Sequence, residues 1–284
     1  MNTQIKKLDD KTISKIAAGE VVERPAQVVK ELIENSIDAK SSEIIIEIEK
    51  GGFDSIKIAD DGHGIRKEDL ELSIERHATS KLSKIEDLNE IYSLGFRGEA
   101  LSSIAAVSKL SIASRVDGFE GYQLKVIDSD AGRIEPFAMN KGTILNIEDL
   151  FYNVPARLSF QRRPATESAK IVELTVQHAM AHPNISFSLK NDGRLMLNVP
   201  AVIDLKERLF DLLGLSATKL IPLESPPSDL NAPGDESWSG WISPPELTRG
   251  RNDDTHVLVN NRVVTNQPFS EAIKRGYHTR LMVG

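Results

Sequence analysis

Gly95-Phe96-Arg97-Gly98-Glu99-Ala100-Leu101 is followed at once by small residues that favour a helix, namely Ser102, Ser103, Ala105 and Ala106. Two glycines flank a phenylalanine–arginine pair, and the predicted helix starts directly behind them. A segment of this kind offers several backbone N–H groups, and the positive end of a helix, to an anion. The heptapeptide therefore predicts a phosphate-binding site, and the stretches on either side of it indicate which kind.

An amphipathic helix is predicted upstream, from Ala26 to Ala39, with Pro25 at its first turn. Glu31 and Asn35 lie four residues apart at the border of its apolar face, whereas Glu34 is predicted to face water. A carboxylate beside an amide can take a proton from water while the amide oxygen holds Mg²⁺ against phosphates. Taken alone, this pattern is more typical of an exposed glutamate on a polar helix edge. The apolar face consists of Val28, Val29, Leu32, Ile33, Ser36 and Ile37.

Two alternating runs, Glu43 to Glu49 and Ser55 to Asp60, predict strands. Asp60 has the same parity as the apolar residues of its strand and is therefore predicted to point inward. An inward carboxylate needs hydrogen-bond donors, and an adenine amino group is one candidate. The glycines that follow, including Gly64, would let a flat base approach the backbone closely. The alternative is a plain Asp-Asp-Gly turn between a strand and a helix, which is the more common reading of this tripeptide.

Two shorter stretches add polar groups of the right type. Thr79, Ser80 and Lys81 offer two hydroxyls and an ammonium, which suit phosphate oxygens, although a helix end with a basic residue has the same composition. His77 beside them is more typical of a structural histidine than of a catalytic one. Thr143 follows a glycine at the start of another predicted strand, where its hydroxyl could lie beside Asp60. As a lone dipeptide, Gly-Thr carries almost no information.

The rest of the chain alternates between helix and strand patterns, with a change of character after Pro200. We place a domain boundary near residue 203, before a loop rich in Pro, Ser, Asp and Asn at 222–234. The other predicted helices cover about Glu68–Arg76, Ile85–Ile91, from Glu99 onward, Ala165–Ala181, Asp204–Leu213 and 266–280. The other predicted strands are Leu110–Ser114, Tyr122–Val126, Thr143–Ile147, a hairpin around 191–193, Ser237–Ile242 and His256–Val259, the last followed by an Asn260-Asn261 turn.

Composition limits the possible functions. The chain has 284 residues, a formal net charge of −7 and no cysteine. A disulfide framework, a thiolate metal site and a cysteine nucleophile are therefore excluded. No run approaches the ~18 apolar residues of a membrane span, and the first residues lack the apolar core of a signal peptide. We expect a cytoplasmic protein without membrane contact.

Because the total charge is acidic, any contact with nucleic acid must be local. Basic side chains do cluster locally and could line a groove for a phosphodiester backbone, although a solvated surface explains them equally well. The three clusters are Arg157, Arg162 and Arg163; Arg249 and Arg251; and Lys274, Arg275, His278 and Arg280.

Taken together and in this order, the motifs resemble the N-terminal ATPase region of the MutL family of DNA mismatch-repair proteins. The stretches 94–104 and 149–157 are highly specific to that family. The others also occur in its wider ATPase superfamily, which includes type II topoisomerase B subunits, heat-shock chaperones of the ninety-kilodalton class and sensor histidine kinases. The matching stretches are IAAGEVVERP (16–25), VKELIENSIDA (29–39), DDGHGI (60–65), RHATSK (76–81), LGFRGEALSSI (94–104), GT (142–143) and DLFYNVPAR (149–157).

The resemblance implies an α+β fold. A two-layer α/β sandwich of the GHKL ATPase type would occupy residues 1–203. A smaller domain, similar to ribosomal protein S5, would occupy residues 204–284 and be incomplete at its C-terminus. It further implies a weak ATPase that acts as a switch in mismatch repair, with ATP and Mg²⁺ as cofactors.

The resemblance also implies roles for individual residues. Glu31 would be the water-activating base and Asn35 the Mg²⁺ ligand. Asp60 would receive the adenine amino group, with Gly64 and Thr143 nearby. The phosphates would lie close to Thr79, Ser80, Lys81 and a lid formed by Gly95, Phe96, Arg97, Gly98, Glu99, Ala100 and Leu101.

Partners follow from the same resemblance. ATP binding would pair two copies of the chain through residues before about Lys15, as a homodimer, and hydrolysis would release them. A MutS-type mismatch-recognition protein and DNA, bound with little sequence specificity, would be the other partners. The final helix matches the family's groove-lining helix, and Lys274 occupies the position of its basic residue. The expected DNA contacts are Lys274 and Arg275 of this helix and Arg162 and Arg163 of the first basic cluster.

Two departures from the family pattern bear on activity. The family's Asn-Val-His-Pro-x-Lys stretch, whose lysine reaches the γ-phosphate, does not occur among these residues. The C-terminal dimerisation domain, which carries a metal-dependent nuclease site in some members, is also not among them. We therefore expect a fragment that binds ATP and hydrolyses it poorly. A nucleotide-dependent binding module without useful catalysis and a topoisomerase-like or chaperone-like ATPase are the alternatives.

Overall fold

The computed structural model describes residues 9–79, 98–225, 237–247, 255–264 and 267–277. The chain divides into two compact units. The first unit comprises residues 1–179 and 184–201, and the second comprises residues 180–183 and 202–284.

A mixed sheet of nine strands dominates the described part of the first unit. Its order is β5-β4-β3-β7-β2-β1-β8-β9, and β6 pairs with β4 beside β5. Every pair is antiparallel except β1 with β8. The strands are β1 (Glu43–Glu49), β2 (Ser55–Asp60), β3 (Lys109–Arg115), β4 (Tyr122–Ile127), β5 (Asp130–Ala131), β6 (Glu135–Pro136), β7 (Gly142–Glu148), β8 (Ser186–Asn191) and β9 (Arg194–Val199).

The described residues of the same unit form five helices: α1 (Asp10–Val21), α2 (Pro25–Asp38), α3 (Ala100–Val107), α4 (Pro155–Ser159) and α5 (Pro164–Ala181). Pro25 begins α2 at a position where its missing N–H costs no hydrogen bond. The buried face of α2 runs through Val28, Val29, Leu32 and Ile33 and contacts β2. Helix α3 contacts α1, α2, β3 and β4.

One face of the sheet is apolar and the other is polar, because the strand residues alternate. Ile46 opposes Ile58 across β1 and β2, and Ile58 opposes Leu145 across β2 and β7; all three are buried. On the other face, Lys57 and Lys190 both pair with Glu47. The helices cover the apolar face, which confirms the predicted two-layer α/β sandwich.

The second unit is described in pieces. Helix α6 (Leu205–Leu213) has Asp204 as its N-cap, whose Oδ1 accepts from the Glu207 N–H at 2.9 Å, and it ends at Gly214 with φ +58°. Arg208 is fully buried and donates to the Pro183 carbonyl at 2.8 Å. Two hairpins and a last helix follow: β10 (Ile221–Glu224) with β11 (Ser239–Ile242), β12 (Val257–Val259) with β13 (Arg262–Val264), and α7 (Gln267–Tyr277).

The structure corrects three expectations. The segment from Glu68 to Arg76 is not one helix, because its backbone forms two short 3₁₀ turns with i to i+3 bonds, at Lys67–Asp69 and Leu72–Ile74. Helices α1 and α4 and the short strands β5, β6, β10 and β13 were not predicted, and β10 overlaps the start of the loop predicted at 222–234. Glu34 does not face water, since only 12% of its side chain is exposed. The predicted helix at 85–91 lies outside the described residues.

The predicted strands at β1 and β2 are confirmed to the residue, and α2, β3, β4, β7, α5 and α6 are confirmed within two residues at each end. The hairpin between β8 and β9 turns at Asp192 and Gly193, whose φ angles of +48° and +75° suit the tight turn that joins twisted antiparallel strands. None of the described helices is long and apolar enough to cross a membrane.

Candidate nucleotide site

Asp60 ends β2 with its carboxylate pointing into the helical layer. Its Oδ2 accepts from the Ser36 hydroxyl of α2 at 2.9 Å, and its Oδ1 accepts from the Gly62 N–H at 2.9 Å. Burial raises the pKa of Asp60, while the bonds from Gly62, Ser36, Ser41 and the Thr143 backbone oppose that rise. The Ser36 bond thus joins α2 to the sheet at a carboxylate whose ionised form is destabilised by burial. A further hydrogen-bond donor from a ligand would stabilise that form.

Asp61 has a structural role that is separate from that of Asp60. Its Oδ1 accepts from the Ser42 and Glu43 N–H groups at 2.7 and 2.9 Å, and Ser42 Oγ donates to its other oxygen. Partial burial acts to raise the pKa of Asp61, but these bonds outweigh it and lower the pKa. Asp61 therefore ties the end of β2 to the start of β1, whereas Asp60 accepts the Gly62 N–H of the turn itself and remains directed inward.

Thr143, Ser114 and the Gly64-Ile65 turn meet beside Asp60. Thr143 is opposite Asp60 in the pairing of β2 with β7, and its hydroxyl lies 3.0 Å from that of Ser114. Ser114 Oγ also accepts from the Ile65 N–H at 2.8 Å. Gly64 has φ +76°, and a Cβ there would lie 2.4 Å from the Arg115 carbonyl, so only glycine fits. Asp60, Gly64 and Thr143 thus lie close together, the grouping that the family resemblance implies.

Glu31 and Asn35 lie on the part of α2 that leads to Ser36, and both are half-buried. Because Ser36 bonds to Asp60, this turn of the helix is fixed against the end of β2. Glu34 lies between them and pairs with Lys30, Nζ to Oε1 at 3.3 Å. Burial raises the pKa of Glu34, which Lys30 counteracts and the neighbouring carboxylates of Glu31 and Asp38 reinforce. Several acidic groups therefore share one side of α2.

The described residues before and after the segment 80–97 meet. Gly98 has φ +60°, and a Cβ there would lie 2.6 Å from the Ala78 carbonyl. His77 Nδ1 lies 3.3 Å from a Glu99 carboxylate oxygen. Helix α3 begins directly after Glu99, and its first N–H groups have no partner within the helix. The positive end of α3 is therefore next to the Ala78-Thr79 stretch, as an anion site requires.

Some predicted residues lie outside the described part of the chain. Those of the nucleotide site are Ser80, Lys81, Gly95, Phe96 and Arg97, and those of the basic clusters are Arg249, Arg251, His278 and Arg280. The described members of the nucleotide-site stretches are Thr79, which is exposed, and Gly98, Glu99, Ala100 and Leu101, which are partly buried. The contact of α2 with α3 brings the Asp60 cluster and the start of α3 into one layer of the fold.

Two residues of the site were not singled out from the sequence. Ser36 is a hydroxyl within the apolar face of α2, and Ser114 has the inward parity of Leu110 and Ile112 on β3. Both side chains are almost fully buried. Both could have been predicted from the sequence, because the periodicity places each of these polar residues in the core. A buried hydroxyl must have a hydrogen-bond partner.

Metal binding can be judged from the available donors. Within the described residues, no group of three or more His, Cys, Asp or Glu side chains could hold a metal ion. Asn35 provides a single amide oxygen. That donor set fits an ion that obtains most of its ligands from phosphates and water, as Mg²⁺ does.

The predicted DNA contacts are exposed cations in both units. Lys274 and Arg275 lie in the last turn of α7, and Arg162 and Arg163 precede α5. Arg157, which the sequence grouped with them, is different because its guanidinium packs against α1. It is not part of an open basic surface.

Two family models match the chain. Residues 23–135 match the histidine kinase-, DNA gyrase B- and HSP90-like ATPase, and residues 217–284 match the DNA mismatch repair protein, C-terminal domain. Together they cover more than half of the chain. The GHKL type of the sandwich is thereby confirmed, and a mismatch-repair domain follows it.

Curated relatives match over the whole length of the chain. It is 41% identical over 281 residues to the DNA mismatch repair protein MutL of Shouchella clausii (strain KSM-K16), and 43% identical over 284 residues to MutL of Streptococcus pneumoniae serotype 19F (strain G54). Each match covers 99% of this chain but only 42% and 43% of the relative, respectively. The chain thus spans less than half the length of the curated relatives that it matches.

Solved structures agree with this assignment. The Aquifex aeolicus MutL ATPase domain complexed with ADP superposes with a TM-score of 0.69 and 29% identity, over 90% of this chain and 88% of that one. The N-terminal domain of a DNA repair protein superposes with a TM-score of 0.79 and 26% identity, over 96% and 85% of the two chains. The chain therefore belongs to the MutL family of DNA mismatch repair proteins and corresponds to the N-terminal ATPase region of that family.

Proposed function

We propose that this chain binds ATP with Mg²⁺ and hydrolyses it slowly, as the nucleotide switch of a mismatch repair protein. The observation that carries the proposal is the convergence on Asp60 of a hydroxyl from α2, a hydroxyl-bearing strand and a glycine turn. The ADP complex of the Aquifex aeolicus domain supports a nucleotide as the ligand.

The adenine binds beside Asp60, whose carboxylate accepts a hydrogen bond from the exocyclic amino group. Ser36 and Gly62 already hold the two carboxylate oxygens, so the acceptor is oriented before the base arrives. Thr143 and Gly64 form the neighbouring wall, and the missing side chain at Gly64 keeps the turn close to β3. The site distinguishes adenine from guanine, since guanine presents a carbonyl oxygen at the place of the amino group.

The phosphates bind at the start of α3. The free N–H groups of Ala100, Leu101 and Ser102 and the positive helix end stabilise their charge, and Gly98 allows the chain to turn toward them. Thr79, Ser80, Lys81 and the remaining residues of 95–101 complete this part of the proposal. Asn35 would hold Mg²⁺, which neutralises charge on the phosphate oxygens when bound.

Glu31 acts as the general base. It lies one helical turn before Asn35 on the same side of α2, so a water molecule beside the terminal phosphate would be within its reach. The carboxylate takes a proton from that water as the water attacks the terminal phosphorus. The bond to the leaving phosphate oxygen then breaks, and ADP and phosphate result.

The switch uses the two units described above. We assign residues 1–203 to the ATP-binding domain and 204–284 to an S5-like domain that contacts DNA. Nucleotide binding pairs two copies through their N-terminal residues, and this pair engages DNA and a MutS-type partner. The mismatch-repair identity of the relatives supports these partners.

Substitution of the proposed base tests the proposal. Glu31→Ala is expected to keep its affinity for ATP and to lose about 10²-fold or more in turnover, because general bases contribute at least this much. Binding is measured by calorimetry with a non-hydrolysable analogue, and turnover by phosphate release. Glu49→Ala removes an exposed carboxylate at the end of β1 and serves as the matched control.

Three outcomes separate the alternatives. Wild-type turnover in Glu31→Ala contradicts the role of Glu31. Tight binding without any turnover in the wild-type chain indicates a nucleotide-dependent binding module. Absence of nucleotide binding in the wild-type chain refutes the proposed function.

A further inference from the structure

Gly19, in the last turns of α1, is where an arginine side chain lies against the helix. A Cβ at this position would lie 1.9 Å from Nη2 and 3.0 Å from Cζ of Arg157. Glycine is a poor helix former, so its place in the interior of α1 calls for a reason. The reason here is close approach, because the guanidinium occupies the space of the missing side chain.

Arg157 also caps the end of α1. Its Nη1 donates to the carbonyl of Val22, the C-cap residue of that helix, at 3.3 Å. Carbonyls at a helix C-terminus have no partner within the helix, and a cation there interacts favourably with the helix dipole. The same guanidinium lies 5.5 Å from the centre of the Phe151 ring. It is therefore held between α1 and Phe151.

Phe151 and Asn153 cap the end of α3. The Phe151 N–H donates to the Val107 carbonyl at 2.7 Å, and Asn153 Nδ2 donates to the Ala106 carbonyl at 3.0 Å. Phe151 is fully buried and has φ +70°, a left-handed conformation that is uncommon for a bulky residue. Strain of this kind persists where surrounding contacts enforce it.

One segment, residues 151–157, thus caps the C-termini of two helices. Helices α1 and α3 also pack on each other. A further link runs through Asp128, which accepts from Asn153 at 2.8 Å and lies 3.7 Å from the Lys15 ammonium of α1. Displacement of α3 must therefore either move α1 with it or break these contacts.

We propose that Arg157 is a positioning residue that makes α1 follow α3, so that the occupancy of the nucleotide site at the start of α3 is passed to the N-terminal helix. The inference rests on the proposed function, since nucleotide must act at α3. Lysine cannot replace arginine here, because only the flat guanidinium can stack on Gly19 and Phe151 while donating to Val22.

Amide hydrogen exchange of residues 10–21, with and without a non-hydrolysable ATP analogue and Mg²⁺, tests the coupling in the whole chain. In the wild type, the analogue is expected to slow exchange in α1 by about tenfold, a typical coupling between sites. Gly19→Ala, which displaces the guanidinium, and Arg157→Lys are expected to bind the analogue with wild-type affinity but to lose this response. A purely structural role would lower the melting temperature without abolishing the response.

Gly276→Ala is the matched control, because it is also a helical glycine but has nothing within 4 Å of the added Cβ. It is expected to keep the response. Alanine is the better helix former, which offsets part of the cap that Gly19→Ala removes with the guanidinium, and the exchange of residues 10–21 without the analogue shows whether α1 is still formed.

A response in both variants equal to that of the wild type overturns the inference. If the wild type binds the analogue but the exchange of α1 does not change, the inference is overturned and the proposed function is not affected. Failure of the wild type to bind the analogue refutes the proposed function, and the inference falls with it.

Discussion

Asp60 and Asp61 are adjacent carboxylates with pKa values displaced in opposite directions. The pKa of Asp60 is raised by burial, whereas hydrogen bonds from Ser42 and Glu43 lower that of Asp61 against its partial burial. Asp61 fixes the start of β1, and its ionised form is stabilised by three donors. The donors around Asp60 stabilise its ionised form too little to offset the cost of burial. Under the proposed function, this contrast separates a structural carboxylate, Asp61, from a ligand-binding one, Asp60.

Replacement of Asp60 by asparagine should separate stability from binding. A carboxyl with a raised folded-state pKa contributes stability at low pH that is lost as the pH rises through that pKa. At neutral pH, Asp60→Asn should therefore raise the melting temperature of the nucleotide-free protein. Its affinity for ATP should fall about 10- to 100-fold, because one hydrogen bond to a charged group is lost. A lower melting temperature with unchanged affinity would contradict the assignment.

Removal of the Ser36 hydroxyl should shift the pH dependence of binding. In the proposed site adenine binds the ionised form of Asp60, so ATP affinity should rise with pH through the raised pKa of Asp60 and then level off. Ser36→Ala removes a donor that lowers this pKa, so the rise should move to higher pH. Calorimetric titration at a series of pH values measures the midpoint. Ser111→Ala, on the polar face of β3, should not change the midpoint of this pH dependence. If both variants have the same midpoint, Ser36 is not part of the site.

At the residue level, the sequence was sufficient to orient Asp60, because strand parity decides which face a side chain occupies. It misplaced Glu34, since helical periodicity locates a residue on its own helix but not the neighbours that cover it. The contact of Arg157 with Gly19 could not be predicted from the sequence either. It joins residues 138 positions apart, and no local pattern encodes such a contact.

At the level of elements, the close approach of β2 and β7 is the tightest constraint on the site. Gly142 begins β7 with φ +125°, and a Cβ there would lie 1.9 Å from the Asp60 carbonyl. The spacing of Asp60 and Thr143 depends on this contact, since the two residues are paired across the strands. A side chain at 142 would force the strands apart at the proposed adenine pocket.

Gly142→Ala should therefore cost roughly 3 kcal/mol or more of unfolding free energy, since it combines backbone strain with a clash against main-chain atoms. Gly118→Ala is the control. It has φ +76° but nothing within 4 Å of the added Cβ, so it should lose only about 1 kcal/mol. Urea unfolding followed by circular dichroism compares the two. Equal losses would mean that the β2–β7 contact does not limit residue 142.

The elements that the sequence predicts well are those with long apolar periodicity, such as α2, β1 and β2. The stretch from Glu68 to Arg76 was predicted as one helix, and it is rich in charged residues that favour a helix. In the structure, Leu70 is its only fully buried residue, and too little apolar surface is available there to stabilise a continuous α-helix. The strands β5 and β6 have two residues each, which is too short to show an alternation of apolar and polar residues.

At the level of the whole molecule, the acidic chain carries its exposed cations in separate places. Lys274 and Arg275 belong to the second unit, while Arg162 and Arg163 belong to the first. A protein with net charge −7 binds a polyanion only where such cations outweigh the surrounding carboxylates. Binding that depends on few phosphate contacts should have a shallow salt dependence.

Lys274→Glu should weaken DNA binding in a salt-dependent manner and reduce the slope of log affinity against log salt by about 1. Fluorescence anisotropy with a labelled duplex, measured over a range of salt concentrations, gives both quantities. Lys219→Glu makes the same change of net charge at another exposed lysine of the second unit and controls for overall repulsion. If the two variants have the same affinity and slope, α7 does not contact DNA.

The parallel pairing of β1 with β8 has a consequence for how the chain acquires its fold. Ile44 is opposite Phe187 and Ile46 is opposite Leu189, so the middle of the sheet joins residues that leave the ribosome far apart in time. Contacts of such long sequence separation slow folding, because the entropy of closing the intervening chain is lost before the contacts form. Until about residue 191 has emerged, β1 has an open edge, and the nascent polypeptide is most prone to aggregate during that interval.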